Sequence, residues 1–233
     1  MGAQRCGIVL AGLLLLLGAW PGLAGPGPRK DIVFGNIQEP ASLNPLTVTG
    51  TVEKAVIVLF ASFVENVRND RLEPINEAVE QLPTLRNGLW KVQPDGRMEL
   101  TWKLRRDVKW HDGRPLTVDD LLYTWELWRN PRGPFGARPT LQDIESLQRI
   151  DDYTIAVRFK RQTIRANLWW LGAFPAPVPR HVVEPMVRRV GIEKFAEIPY
   201  GQDPRVTIGT GPYILKSWLR GNEMVFEANP HYH

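Results

Sequence analysis

The four histidines, His111, His181, His231 and His233, are the side chains best suited to ligate a metal or move a proton. His231 and His233 are two apart, so a strand would carry both on one face, while His111 and His181 stand alone in sequence. A zinc or nickel centre needs three or four ligands with supporting partners, and this spacing favours loop histidines, with neither a metal nor another cofactor. The paired acids Asp119-Asp120 and Asp151-Asp152 are adjacent and fall where a helix cap or a turn wants a carboxylate, which is a poor basis for acid/base chemistry. A Gly-x-Ser-x-Gly elbow, a His-Glu-x-x-His helix and a glycine-rich phosphate loop are all missing from the sequence. Trp102, Trp110, Trp125 and Trp128 could stack on a ligand, yet their periodic placement assigns them to a core. The expectation is a binding protein, not an enzyme.

The elements that hold these residues are most legible over residues 100–130. Leu100, Trp102 and Leu104 alternate with Thr101 and Lys103, the period of a strand with one buried face. Val108 and Trp110 suggest a second short strand, followed by an Asp112-Gly113 turn. Thr117 with Asp120 three residues on forms a capping-box variant, Leu121, Leu122, Trp125 and Trp128 share one helical face, and Pro131 stops the helix.

That ordered run resembles the signature of the family 5 extracytoplasmic solute-binding proteins, the peptide, nickel and opine receptors of ABC importers. Three further pieces follow the family's order. They are Glu39-Pro40-Ala41-Ser42-Leu43-Asn44-Pro45, Ile150-Asp151-Asp152-Tyr153-Thr154-Ile155, and Gly209-Thr210-Gly211-Pro212-Tyr213 with Asn229-Pro230-His231-Tyr232.

Elsewhere, residues 31–37 read as a first strand, residues 52–67 as a helix with Val56, Leu59, Phe60 and Phe63 on one side, and residues 146–150 and 153–159 as strands joined at Asp151-Asp152. Pro175, Pro177 and Pro179 make an extended crossing segment. Pro185 precedes a short helix over 186–195, and residues 213–218 and 224–227 read as an antiparallel pair.

At the N-terminus, Arg5 precedes an apolar run over 7–17 and a small-residue site at Gly22-Leu23-Ala24. This pattern reads as a cleavable signal peptide, too short to span a bilayer; a retained anchor is the alternative. The one cysteine, Cys6, would leave with it, so the mature chain would contain no disulfide and no thiolate site. About 209 residues would remain, ample for one or two cores. The formal charge of +4 is spread without long runs, unlike the concentrated basic face of a nucleic-acid binder.

The resemblance implies a mixed α/β (α+β) chain of the periplasmic-binding-protein-like type II (cluster C) architecture, incomplete, with a first lobe, an inserted small domain and no second lobe. Its implied boundaries are a signal peptide at 1–24, the first lobe at 25–59 and 181–233, and the inserted domain at 60–180. It also implies a monomeric periplasmic receptor that captures a peptide or similar small solute and delivers it to an ABC permease. Thr47, Thr49 and Thr51 fall where the family's first lobe contacts ligand, and Phe135 where the inserted domain can present an aromatic wall. Thr49, Thr51 and Phe135 are the expected contacts; a solvated threonine loop and an ordinary core phenylalanine are the competing readings. The rival function is a truncated, non-transporting chain that is unstable or serves as an interaction or chaperone-like module.

Overall fold

The computed structural model describes residues 32–48, 50–62, 65–67, 74–135, 142–163, 166 and 176–233. The signal-peptide reading at 1–24, the leader after it, Thr49, Phe63 and Pro175 lie outside the described residues. The chain divides into two units, residues 1–35 and residues 36–233. In the first unit, residues 32–35 have no regular structure and are exposed.

In the second unit the largest sheet has four antiparallel strands in the order β3-β4-β6-β5, where β3 is Trp90–Val92, β4 Met98–Lys103, β5 Ile144–Arg149 and β6 Thr154–Phe159. The alternation in β4 is realised: Met98, Leu100 and Trp102 are buried, and Glu99, Thr101 and Lys103 lie at the partly open face. β6 buries Ile155, Val157 and Phe159, with the small Ala156 buried as well, and pairs along the whole of β4. Two smaller pairs complete the strands, β1 (Glu65–Val67) with β2 (Pro74–Asn76) and β7 (Tyr213–Leu219) with β8 (Glu223–Ala228).

α2 (Val118–Trp128) starts at Thr117, whose backbone N–H donates to Asp120 Oδ2 at 3.1 Å, closing the capping box. Trp125, Trp128 and Leu121 enter the core as their spacing requires, but Tyr123, Thr124 and Leu127 are buried too. A single apolar stripe would not need them; α2 is covered by β5 and by α3 (Arg180–Val190). Trp102 and Trp110 are completely enclosed in the same cluster, which settles the stacking question for these tryptophans in favour of packing. A second, smaller cluster gathers Leu43, Val56, Ile57, Phe60, Ala61, Ala176 and Leu215 around α1 (Thr51–Phe60) and the β7–β8 hairpin.

Several expected elements differ. Residues 32–37 form no strand: Ile32, Val33, Phe34 and Ile37 project into solvent without a ladder partner. The helix expected to reach residue 67 ends at Phe60, and Ala61 is extended, because the next backbone carries different bonds: the Phe60 carbonyl accepts Gly211 N–H at 2.9 Å. Residues 108–110 make only a one-bridge turn, Lys109 opposite Pro115, tightened by Trp110 N–H to Arg114 O at 2.8 Å. α3 begins at Arg180 and contains Pro185, rather than starting after it. Its first backbone N–H donates to Asp120 Oδ1 at 3.0 Å, and Glu184 pairs with both Arg180 and Arg188 across the proline turn. Gly191, at φ +86°, ends it, and a 3₁₀ turn over Ile192–Glu197 follows.

Candidate functional site

Thr51 is the first residue of α1 and is exposed, with Gly50 as its extended N-cap. Thr47 stays in the preceding loop, where its hydroxyl donates to Asn44 O at 3.4 Å. This loop is rigidly built. Asn44 Oδ1 accepts Leu46 N–H at 3.1 Å, Leu43 N–H donates to Gly201 O at 2.7 Å, and Glu53 of α1 accepts Ala41 N–H at 3.2 Å. The loop is therefore held by a buried asparagine and by the N-terminal turn of a helix, and the N–H groups of Thr47 and Val48 both donate to Asn44 O, at 3.1 and 3.2 Å.

Phe135 lies elsewhere, as a buried ring stacked edge-on against Phe195 with centroids 4.9 Å apart. Its ring rests over Gly133, where any Cβ would overlap it. It also borders a depression of about 380 Å³ lined with Trp128, Arg129, Asn130 and Gln142, a volume within the range of small-ligand clefts. No described contact joins this depression to the threonine loop.

The most concentrated polar construction is a seam that sequence reasoning missed as a unit. Asn44, Ser62, His111, Thr207, Thr210 and Asn229 are all buried, and each is hydrogen-bonded. Ser62 N–H donates to Thr210 Oγ1 at 3.3 Å and its hydroxyl to Thr210 O at 3.2 Å. Gly201 N–H donates to Thr207 Oγ1 at 2.9 Å, and Asn229 Nδ2 donates to Gly211 O at 2.9 Å. His111 N–H donates to Gly209 O at 2.9 Å. Glycine is required at 209 and 211 because α1 ends directly against them: a Cβ at Gly209 would overlap the Phe60 carbonyl oxygen, and one at Gly211 would lie 2.5 Å from the Phe60 carbonyl carbon. The signal for the seam was present in the family-like strings holding His111, Gly209-Thr210-Gly211 and Asn229. Ser62 carried none.

Two further polar centres brace the frame. Asp120 accepts from Trp110 Nε1 at 3.3 Å, from Thr117 N–H and from Arg180 N–H, joining the turn, α2 and α3. Burial pushes its carboxyl above the usual range, opposed by those donors. Glu39 accepts from Trp218 Nε1 at 2.8 Å and from Gly221 N–H at 2.9 Å, which holds its carboxyl below the ordinary value. Arg220 lies 3.5 Å over the Trp218 ring and donates to Pro40 O, closing the Glu39 loop onto the hairpin.

His181 pairs with Asp112 at 2.8 Å, while His111 is committed to the seam. Among the described residues no cluster of three or more His, Cys, Asp or Glu could hold a metal ion, and no helix is long and apolar enough to cross a membrane.

The sheet and its covering helices make a mixed α/β chain whose fold is that of part of a periplasmic-binding-protein-like structure. The chain belongs to the bacterial extracellular solute-binding proteins, family 5, whose model matches residues 81–233. It is 29% identical over 215 residues to Protein XP55 of Streptomyces lividans, covering 89% of this chain and 34% of that one. It is 28% identical over 217 residues to the periplasmic murein peptide-binding protein MppA of Escherichia coli, with 88% and 37% covered. Among solved structures, the oligopeptide-binding protein AppA from Bacillus subtilis in complex with a nonapeptide superposes with a TM-score of 0.68 at 24% identity, covering 84% of this chain and 36% of that chain. NikZ from Campylobacter jejuni in complex with Ni(L-His) gives 0.64 at 24%, covering 84% and 35%. These superpositions share the fold. The chain spans about a third of the length of these two relatives.

Proposed function

We propose that this chain is the extracytoplasmic solute-binding component of an ABC importer and that it captures peptides or similar small solutes. The observation that carries the reading is the family match over residues 81–233, in a chain whose relatives include a murein peptide-binding protein. The reading places the protein in the periplasm after removal of a signal peptide, as a monomer that hands its solute to a membrane permease. Residues 25–59 and 181–233 would form the first lobe and residues 60–180 the inserted domain. Thr49 and Thr51 would offer polar contacts, Thr51 from the start of α1, and Phe135 an apolar border beside the Trp128–Arg129 depression. Solute contacts made only in a closed form would shift an open–closed equilibrium that the permease reads.

Uptake of a labelled peptide pool tests this reading. Cells lacking the reading frame should lose uptake of part of the pool and regain it on re-expression; unchanged uptake of every peptide would overturn it.

A second reading, an interaction module without transport, has one observation in its favour. Ile32, Val33, Phe34 and Ile37 are between 74% and 97% exposed, an apolar run that soluble surfaces rarely leave open.

A further inference from the structure

His111 joins two segments by two different kinds of bond. Its backbone N–H donates to Gly209 O at 2.9 Å, and Gly209 N–H returns a bond to His111 Nδ1 at 3.1 Å. Because Nδ1 accepts, the ring proton sits on Nε2, which lies 3.2 Å from Gly211 O and donates to it. Gly211 in turn donates to Phe60 O, and Ser62 brackets Thr210 between the two glycines. One neutral imidazole in one tautomer thus ties the turn at 110–113 to the 209–211 segment, which is itself packed on the end of α1.

We propose that His111 is a proton-sensitive latch, which holds the turn at 110–113 against the Gly209–Gly211 segment while neutral and releases it when Nδ1 is protonated. A proton on Nδ1 would face the Gly209 N–H, donor against donor, and would place a charge in a seam of backbone, hydroxyl and amide groups. The ionisable neighbours do not rescue it. Asp112, on the same turn, favours the charged ring, but its carboxylate is engaged by His181 Nε2 at 2.8 Å and by Arg114 N–H at 3.1 Å. His231, from the segment after β8, opposes the charge. Residues 209–212 and Phe60, Ala61 and Ser62 carry no ionisable side chain. Burial accordingly lowers the His111 pKa from 6.5 to about 4. A folded-state pKa below the unfolded one means that stability is complete above about pH 6.5, declines as pH falls toward 4, and declines no further from this group below that. The inference does not depend on which solute the protein binds.

The test uses the whole chain. With ¹⁵N-labelled histidine, the His111 ring should show the Nε2–H tautomer at pH 7 and a protonation midpoint below 5. An Nδ1–H tautomer or a midpoint near 6.5 would overturn the latch, and this reading needs no variant. His111→Asn keeps an acceptor facing Gly209 N–H but cannot titrate. Between pH 6.5 and 4.5 the unfolding constant of the wild type should rise by roughly tenfold or more beyond that of the variant. Equal rises in the two proteins would contradict the proposal.

Discussion

Gly211 meets Phe60 backbone to backbone: its N–H donates to the Phe60 carbonyl at 2.9 Å, and a Cβ added to it would lie 2.5 Å from the Phe60 carbonyl carbon. The last turn of α1 therefore ends against a segment that only glycine can bring so close. Gly211→Ala should cost about 1–3 kcal/mol through overpacking, read as a lower denaturant midpoint. Gly35→Ala is the control, since its Cβ would meet nothing within 4 Å. Equal midpoints for the two variants would mean that the junction yields.

Asp120 receives Trp110, Thr117 and Arg180 with almost no exposure. Asp120→Ala leaves all three donors without an acceptor, and each orphaned buried group costs about 1–3 kcal/mol. Asp120→Asn keeps one oxygen and should lose less. Equilibrium unfolding should rank wild type above Asn above Ala; an Ala variant as stable as the Asn variant would deny that the carboxylate joins α2 to α3.

Phe135 packs edge-on against Phe195 in the larger core. Phe135→Ala should therefore destabilise the fold by about 3–5 kcal/mol, whatever its part in solute binding. A loss below 1 kcal/mol in chemical denaturation would place the ring outside the core.

The Glu39–Trp218 bond makes a local pH reporter. Because the folded carboxyl titrates below its ordinary 4.5, its contribution is present above that pH and lost as pH falls through the lowered value. The Trp218 indole N–H resonance should shift with a midpoint below 4.5. A midpoint at or above 4.5 would mean that Trp218, Gly221 and Arg220 do not hold the carboxylate in solution.

What could be read from the sequence was local. The alternation through Leu100 and Trp102 and the Thr117–Asp120 box each lie within a few residues, and both form as expected. The ends of α1 and α3 were not legible, because distant partners set them: Gly211 takes the Phe60 carbonyl, and Asp120 takes the first N–H of α3. Residues 32–37 had a strand's composition but find no neighbouring ladder, and composition cannot supply one. The site divides in the same way. Thr51, read as a loop residue just before the helix expected at 52–67, proves to be the first residue of α1, whereas the seam of Ser62, His111, Thr210 and Asn229 exists only through contacts between segments far apart in the chain.

Thermal unfolding of the purified chain, followed by tryptophan fluorescence with and without a mixed peptide library, tests the central claim most directly. The burial of Trp102, Trp110, Trp125 and Trp128 in one cluster makes the signal report the larger core, and Trp218 packs against the smaller one. Solute capture by these residues predicts one cooperative transition that peptides raise, equivalent to about 2.7 kcal/mol at a hundredfold excess over Kd. A cooperative transition that no peptide moves at millimolar concentration would contradict peptide binding by this chain.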